Sequence, residues 1–165
     1  SSVQEVMDLA AVVHATAISC RVPIINFFDG FRTSHELQKI EVIDYEDLRP
    51  MLDMEAVEAF RKHAMNPDNP EAVAFCEPAE VYMQHKESLN RFYDKVPETA
   101  EKYMQMIHEI TGREYHLFNY TGAPDAEYVI IAIGSGAQTI EETVRYLNEK
   151  GEKVGCTVNQ PTKTI

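Results

Sequence analysis

The chain has 165 residues, 44% hydrophobic and 25% charged, the balance of one globular domain, or one plus part of another, and not of a disordered chain. Its formal charge is −12, dispersed without a long run of like charge, and such a surface repels phosphate backbones and argues against nucleic-acid binding. No apolar run approaches the roughly 20 residues that span a bilayer, which argues against a membrane partner.

The opening "SSVQE" has no initiator Met and no signal peptide before it, and reads as the interior of something longer. Ser2 and Glu5 have the spacing of a capping box. Behind them Val6, Ala10, Val13 and Ala17 recur at helical spacing and predict an amphipathic helix over residues 3–19. "RVPIINFF" (21–28) is a continuous apolar run, expected as a buried strand of a parallel sheet covered on both faces. A helix feeding a buried strand is half of an α/β unit. "DG" ends the strand in a turn, and "TSHE" is a second capping box, Thr33 to Glu36, followed by a short helix or irregular chain.

"DMEAVEAFRKHAM" places Met54, Val57, Phe60 and Ala64 on one helical face with Asp53 as its cap, and "NPDNP" (66–70) breaks the chain in a turn. From 72 to 97 no clean period is present, and a meandering connection with one short helix is expected. "PETAEKYMQMIHEITG" is a clearer helix. Pro97 suits its first turn, Tyr103, Met104, Ile107 and Ile110 share a face, and Gly112 ends it. "REYHLFNYTGAPDAE" (113–127) is a Gly- and Pro-bearing connection and the best domain boundary. "EYVIIAIGSG" then reads as a buried strand and glycine turn. "TIEETVRYLNEKG" reads as a helix with Ile140, Val144 and Leu147 inward, and "EKVGCTV" as the start of the next strand of a βαβ unit.

Four groups of residues carry chemistry worth weighing. Asp29, Gly30, Arg32, Thr33, Ser34 and His35 serve locally as turn and cap, yet the carboxyl end of a strand is where open α/β sheets bind ligands. Asp29, Ser34 and His35 have the residue types of a hydrolase triad, but neighbours in one turn do not supply its geometry and no G-x-S-x-G elbow is present. "GSGAQT" (134–139) could hold an anion at a helix start, but Thr139 replaces the third glycine of a dinucleotide loop, and a structural turn is the better reading. The six histidines, among them His14, His108 and His116, show no metal-ligand spacing and read as solvated or hydrogen-bonded. The three cysteines, Cys20, Cys76 and Cys156, lie far apart without a C-x-x-C pair, and fit free thiols in a reducing, cytoplasmic compartment. From the residues alone, a free-standing α/β module using residues 134–136 for a small anion stays open.

"FFDGFRTSHE" with "QKIE", "MNPDNP", "KVPETAEKYMQ", "LFNYTGAPDAE" and "GSGAQTIEETVRYLNEKGEKVG" together resemble, in order, the pyruvate:ferredoxin (flavodoxin) oxidoreductase family, over residues 1–155. A sister 2-oxoacid:acceptor oxidoreductase is the near alternative. The resemblance implies an internal fragment of a very large enzyme. Residues 1–118 would be the back part of its pyrimidine-side thiamine-binding domain, and 119–165 the truncated first βαβ of a domain like the transketolase C-terminal domain. It implies a parent that decarboxylates pyruvate with thiamine diphosphate and Mg2+, forms acetyl-coenzyme A, and passes electrons through 4Fe-4S clusters to ferredoxin or flavodoxin. The parent is expected to be a homodimer. The family's catalytic, cofactor and metal residues map to no position here, so the fragment is expected to bind no cofactor and to be inactive alone. Residues 29–35 become a family-marker turn at a possible domain interface. "AVAFCEPAE" (72–80) and "CTVNQPTKTI" (156–165) depart from the family pattern. No thiol role is therefore built on Cys76 or Cys156, and the last strand is expected to leave an unfinished sheet edge.

Overall fold

A computed structural model describes residues 2–28, 30–31, 33–70, 76–159 and 162–164. Helix α1 (Val3–Cys20) starts on the capping box foreseen, with Ser2 Oγ accepting from Glu5 N and the Glu5 carboxylate accepting from Ser2 N. It stops where Arg21 turns left-handed, at φ 57°. Strand β1 (Ile24–Asn26) follows, then one 3-10 turn at Thr33–His35 and extended chain to the short helix α2 (Tyr45–Leu48). Helix α3 (Met54–Lys62) is capped by Asp53, which accepts from Ala56 N at 3.0 Å. Asn66 builds the expected turn, its Oδ1 accepting from Asp68 N and Asn69 N at 3.0 and 2.9 Å. Helices α4 (Ala79–Tyr93) and α5 (Val96–Thr111) complete the helical part, and Gly112 at φ 73° ends α5.

Strand β2 (Phe118–Gly122), strand β3 (Tyr128–Ile133), helix α6 (Gly136–Glu149) and strand β4 (Val154–Asn159) form the second part. The sheet order is β2-β4-β3, with β4 antiparallel to β2 and parallel to β3, so β3-α6-β4 is a completed βαβ unit. Strand β5 (Thr162–Thr164) pairs antiparallel with β1. At the β2–β4 contact Gly122 (φ 140°) is required, because a Cβ there would lie 2.5 Å from the Gly155 Cα. The fold class is the expected α/β.

The main core joins Leu9, Val12 and Ala15 of α1 to Tyr103, Met104 and Ile107 of α5, closed by Met51 and Tyr115. A smaller one forms where Ala137 and Val144 of α6 meet Cys156 of β4.

Four expectations change. The 21–28 run gives a strand of only three residues, paired antiparallel with β5 and packed on α1, and Ile25, Phe27 and Phe28 stay exposed. The aperiodic stretch contains a helix of 15 residues, α4, which fully buries none of its side chains and half-buries only Leu89, Phe92 and Tyr93 near its end, a stripe too short to read. The 113–127 connection contains β2. Strand β4 is central and paired on both sides, and the edges are β2 and β3, of which β3 carries Ile131, 80% exposed although it stands in an apolar run.

The chain exposes 11687 Å2. A compact monomer of its 18.8 kDa exposes about 8,300 Å2, an excess of about 3,400 Å2. That excess sits on recognisable faces: residues 25–45, the outer side of α3, α4, and β3.

Candidate functional site

The turn after β1 is the sequence-derived site. Asp29 and Arg32 lie outside the described residues. Gly30, Ser34 and His35 are exposed, and Thr33 opens the 3-10 turn. Ser34 Oγ donates to the Gly30 carbonyl, and His35 Nδ1 lies 3.1 Å from the same Oγ. A hydroxyl has one proton, and here the Gly30 carbonyl takes it, so the His35 Nδ1–H donates to Ser34 Oγ. This is the reverse of the polarity that activates a nucleophile. The Phe31 ring tilts on the His35 ring with centroids 5.7 Å apart, and both Phe31 (88% exposed) and Leu37 (102%) face outward. The turn therefore presents apolar side chains on a hydrogen-bonded frame, which suits contact with another surface.

The strongest polar constellation is one the sequence reading missed. Asp8 stands on the buried face of α1 at 0% exposure. Its Oδ2 accepts from Arg113 Nε at 2.6 Å and from the Tyr115 hydroxyl at 2.7 Å. Its Oδ1 accepts from Gln4 Nε2 at 3.0 Å and Arg113 Nη2 at 3.2 Å. Arg113 Nη1 donates on to Glu41 at 2.7 Å, and the Gln4 amide makes two hydrogen bonds with the Glu41 backbone. The carboxylate is thus fully engaged, and it ties α1, the 36–44 segment and the exit of α5 together. The hydrogen bond to Asp8 holds the Arg113 guanidinium well above its ordinary range, and burial, then the bond to Asp8, pushes the Tyr115 phenol up. The signal was present: a carboxylate in step with Val12 and Ala15 on an apolar helix face must find a partner. Nothing in the sequence says that the partner is 105 residues away.

The histidines divide: His108, expected to be solvated or hydrogen-bonded, has a buried Nδ1 on α5 without a hydrogen-bond partner among the described residues, whereas others are hydrogen-bonded. His116 lies between Glu114 (3.0 Å) and Glu101 (3.3 Å), whose hydrogen bonds raise its pKa, while His116 in turn lowers that of Glu114. His14 is exposed on α1. Gly134 bends the chain at φ 87° between β3 and α6, and Ser135 makes no side-chain cap hydrogen bond at the start of α6. Cys20 and Cys156 are buried and Cys76 exposed, all as free thiols.

Thiamine diphosphate needs a carboxylate free to meet its pyrimidine ring, and Mg2+ or a cluster needs convergent ligands. Among the described residues, Asp8 is the one fully buried carboxylate and has no capacity left, and no group of three His, Cys, Asp or Glu converges. The residues present do not fit those groups.

A family model described as pyruvate flavodoxin/ferredoxin oxidoreductase, thiamine diphosphate-binding, matches residues 1–105. Pyruvate-flavodoxin oxidoreductase of Enterobacter agglomerans is 61% identical over 155 residues, which are 94% of this chain and 13% of that protein. Pyruvate:ferredoxin oxidoreductase of Moorella thermoacetica is 52% identical over the same shares. A pyruvate dehydrogenase [NADP(+)] of Cryptosporidium parvum is 48% identical over 93% of this chain and 8% of its own length. The chain thus spans about an eighth of the bacterial relatives, and among the described residues no helix is long and apolar enough to cross a membrane.

Proposed function

The chain belongs to the pyruvate flavodoxin/ferredoxin oxidoreductase, thiamine diphosphate-binding family, and from that premise we propose that it is a scaffold segment of a much longer cytoplasmic enzyme. In that enzyme pyruvate is oxidatively decarboxylated, coenzyme A receives the acetyl group, and ferredoxin or flavodoxin receives the electrons. The observation that carries the reading is 61% identity over 94% of this chain within 13% of a relative. Residues 1–118 form the back of the thiamine-binding domain, supported by the family match to 1–105. Residues 119–165 open the next domain, supported by the separate β2-β4-β3 sheet with its own small core.

Thiamine diphosphate, Mg2+ and 4Fe-4S clusters belong to the rest of that polypeptide, which we take to act as a homodimer. This segment holds neighbouring domains in place, and residues 30–35 with Phe31 outward serve at a domain interface. Pyruvate is favoured over a sister 2-oxoacid because the relatives' names specify it.

The test is to read the coding DNA through both ends of this segment and express the continuous polypeptide. Pyruvate-dependent reduction of a viologen dye by the long polypeptide, and no heat of thiamine diphosphate binding to residues 1–165 alone, are expected. A short reading frame whose product shifts its melting temperature with inorganic phosphate would instead establish the anion-binding module.

A further inference from the structure

A groove of about 560 Å3 runs between the C-terminal end of α1 and α3. Its walls are Ile18, Val22, Pro23 and Phe60, and Arg21 and His63 stand among them. Phe60, on the apolar face that the sequence assigns to burial, is 64% exposed. Arg21 is the one non-glycine residue with positive φ among the described residues, held there as the left-handed cap of α1 by the bonds of its N–H to the Ala17 and Ile18 carbonyls. Its guanidinium lies 5.9 Å from the Phe92 ring centroid, and Arg91 lies 4.8 Å from the same centroid. Two cations thus bear on one ring in a chain where acids outnumber bases 27 to 15. Among the described residues neither has a carboxylate within ion-pair distance.

We infer that this groove receives an apolar segment carrying an Asp or Glu, supplied by another part of the same long polypeptide, an inference that rests on the function proposed above. The apolar walls bury the segment, and its carboxylate pairs with the Arg21 guanidinium at the groove. The surface excess of about 3,400 Å2 is several times the roughly 800 Å2 that each partner contributes to a standard interface, and the relatives, of which this chain spans 13%, have polypeptide enough to cover it.

The experiment uses the long polypeptide carrying Arg21→Lys, which keeps the cation and adds an amine that a zero-length carbodiimide can join to a touching carboxylate. The activated carboxylate forms an amide and the carbodiimide leaves as its urea. Copies with 15N and with natural nitrogen are mixed first, and the products are mapped by mass spectrometry. The expected product joins position 21 to an Asp or Glu outside residues 1–165, both peptides bearing one label. A mixed-label product, a product within residues 1–165, or none overturns the inference.

Hydroxyl-radical labelling of Phe60 in the unsubstituted polypeptide is the second measurement. At least fivefold protection relative to the urea-unfolded polypeptide is expected, and labelling at the unfolded rate overturns the inference. Viologen reduction by pyruvate in the same preparation keeps the two questions apart. If reduction occurs while Phe60 labels freely, the groove is empty and the family function stands.

Discussion

At the scale of single residues, Asp8 is where the chain has most to lose. Removing one partner of a buried, hydrogen-bonded pair costs about 3–5 kcal/mol. Arg113 is partly exposed and keeps Glu41, so Asp8→Ala is expected near the lower end, about 3 kcal/mol by urea denaturation. Tyr115→Phe removes one hydrogen bond to a charged group and should cost about 1.5–3 kcal/mol. Near the surface, His116 has a folded pKa above its ordinary 6.5, so its contribution is complete below pH 6.5 and fades as pH rises through the folded value. Glu114 has a folded pKa below its ordinary 4.5, so its contribution is complete above pH 4.5 and fades as pH falls through the folded value. The pair therefore helps most between these limits, weakly because both are well exposed. The urea midpoint difference between the natural chain and His116→Gln should be larger at pH 5.5 than at pH 8.5, and should shrink with salt. Caps were readable at this scale, since Ser2 with Glu5, Asp53 and Gly112 act through neighbours within four residues. The Asp8–Arg113 bond was not, because no local spacing encodes a contact across 105 residues.

At the scale of elements, helices were legible and their buried faces less so. Helix α5 shows its core side as the expected stripe, Tyr103, Met104 and Ile107, whereas on α1 only Val13 of the expected Val6, Ala10, Val13 and Ala17 is buried and the core side is Leu9, Val12 and Ala15. Helix α4 half-buries only Leu89, Phe92 and Tyr93, at its end, and offered too short a stripe to read. Strand β3 is the opposite case, because "YVIIAI" announces burial that this length of chain does not supply. An apolar, unpaired edge is a template for association. Residues 1–165 alone are expected to sediment with a concentration-dependent mass, and Ile131→Lys should suppress this without lowering the urea midpoint. A constant monomeric mass in the natural chain would refute the prediction.

At the scale of the whole molecule, the surface decides what kind of object this is. Unfolded, a chain of this mass exposes about 27,000 Å2, so folding buries only about 57% of it, against about 68–70% for an ordinary domain of 150 residues. The denaturant slope m grows with the area exposed on unfolding. Residues 1–165 should therefore unfold in urea with a slope about a fifth below that of a compact domain of equal length. A full-sized slope would mean that the exposed faces close on one another in solution. The candidate turn at 30–35 was legible as a turn, and the family resemblance gave its setting. The groove at Arg21 was not, because it is formed by two helices separated by more than thirty residues.

Strand β4 stands last of its three partners along the chain and middle of them in space. During synthesis β2 and β3 leave the ribosome with an empty lane between them. At roughly 5–20 residues per second, the 20 residues from the end of β3 to Val154 keep that lane open for about 1–4 s. The helical core of α1 and α5 is already complete by then. Translation thus assembles the α1–α5 core first and leaves the three-stranded sheet waiting on its keystone, so a pause or stop before Val154 removes not a border of the sheet but its centre.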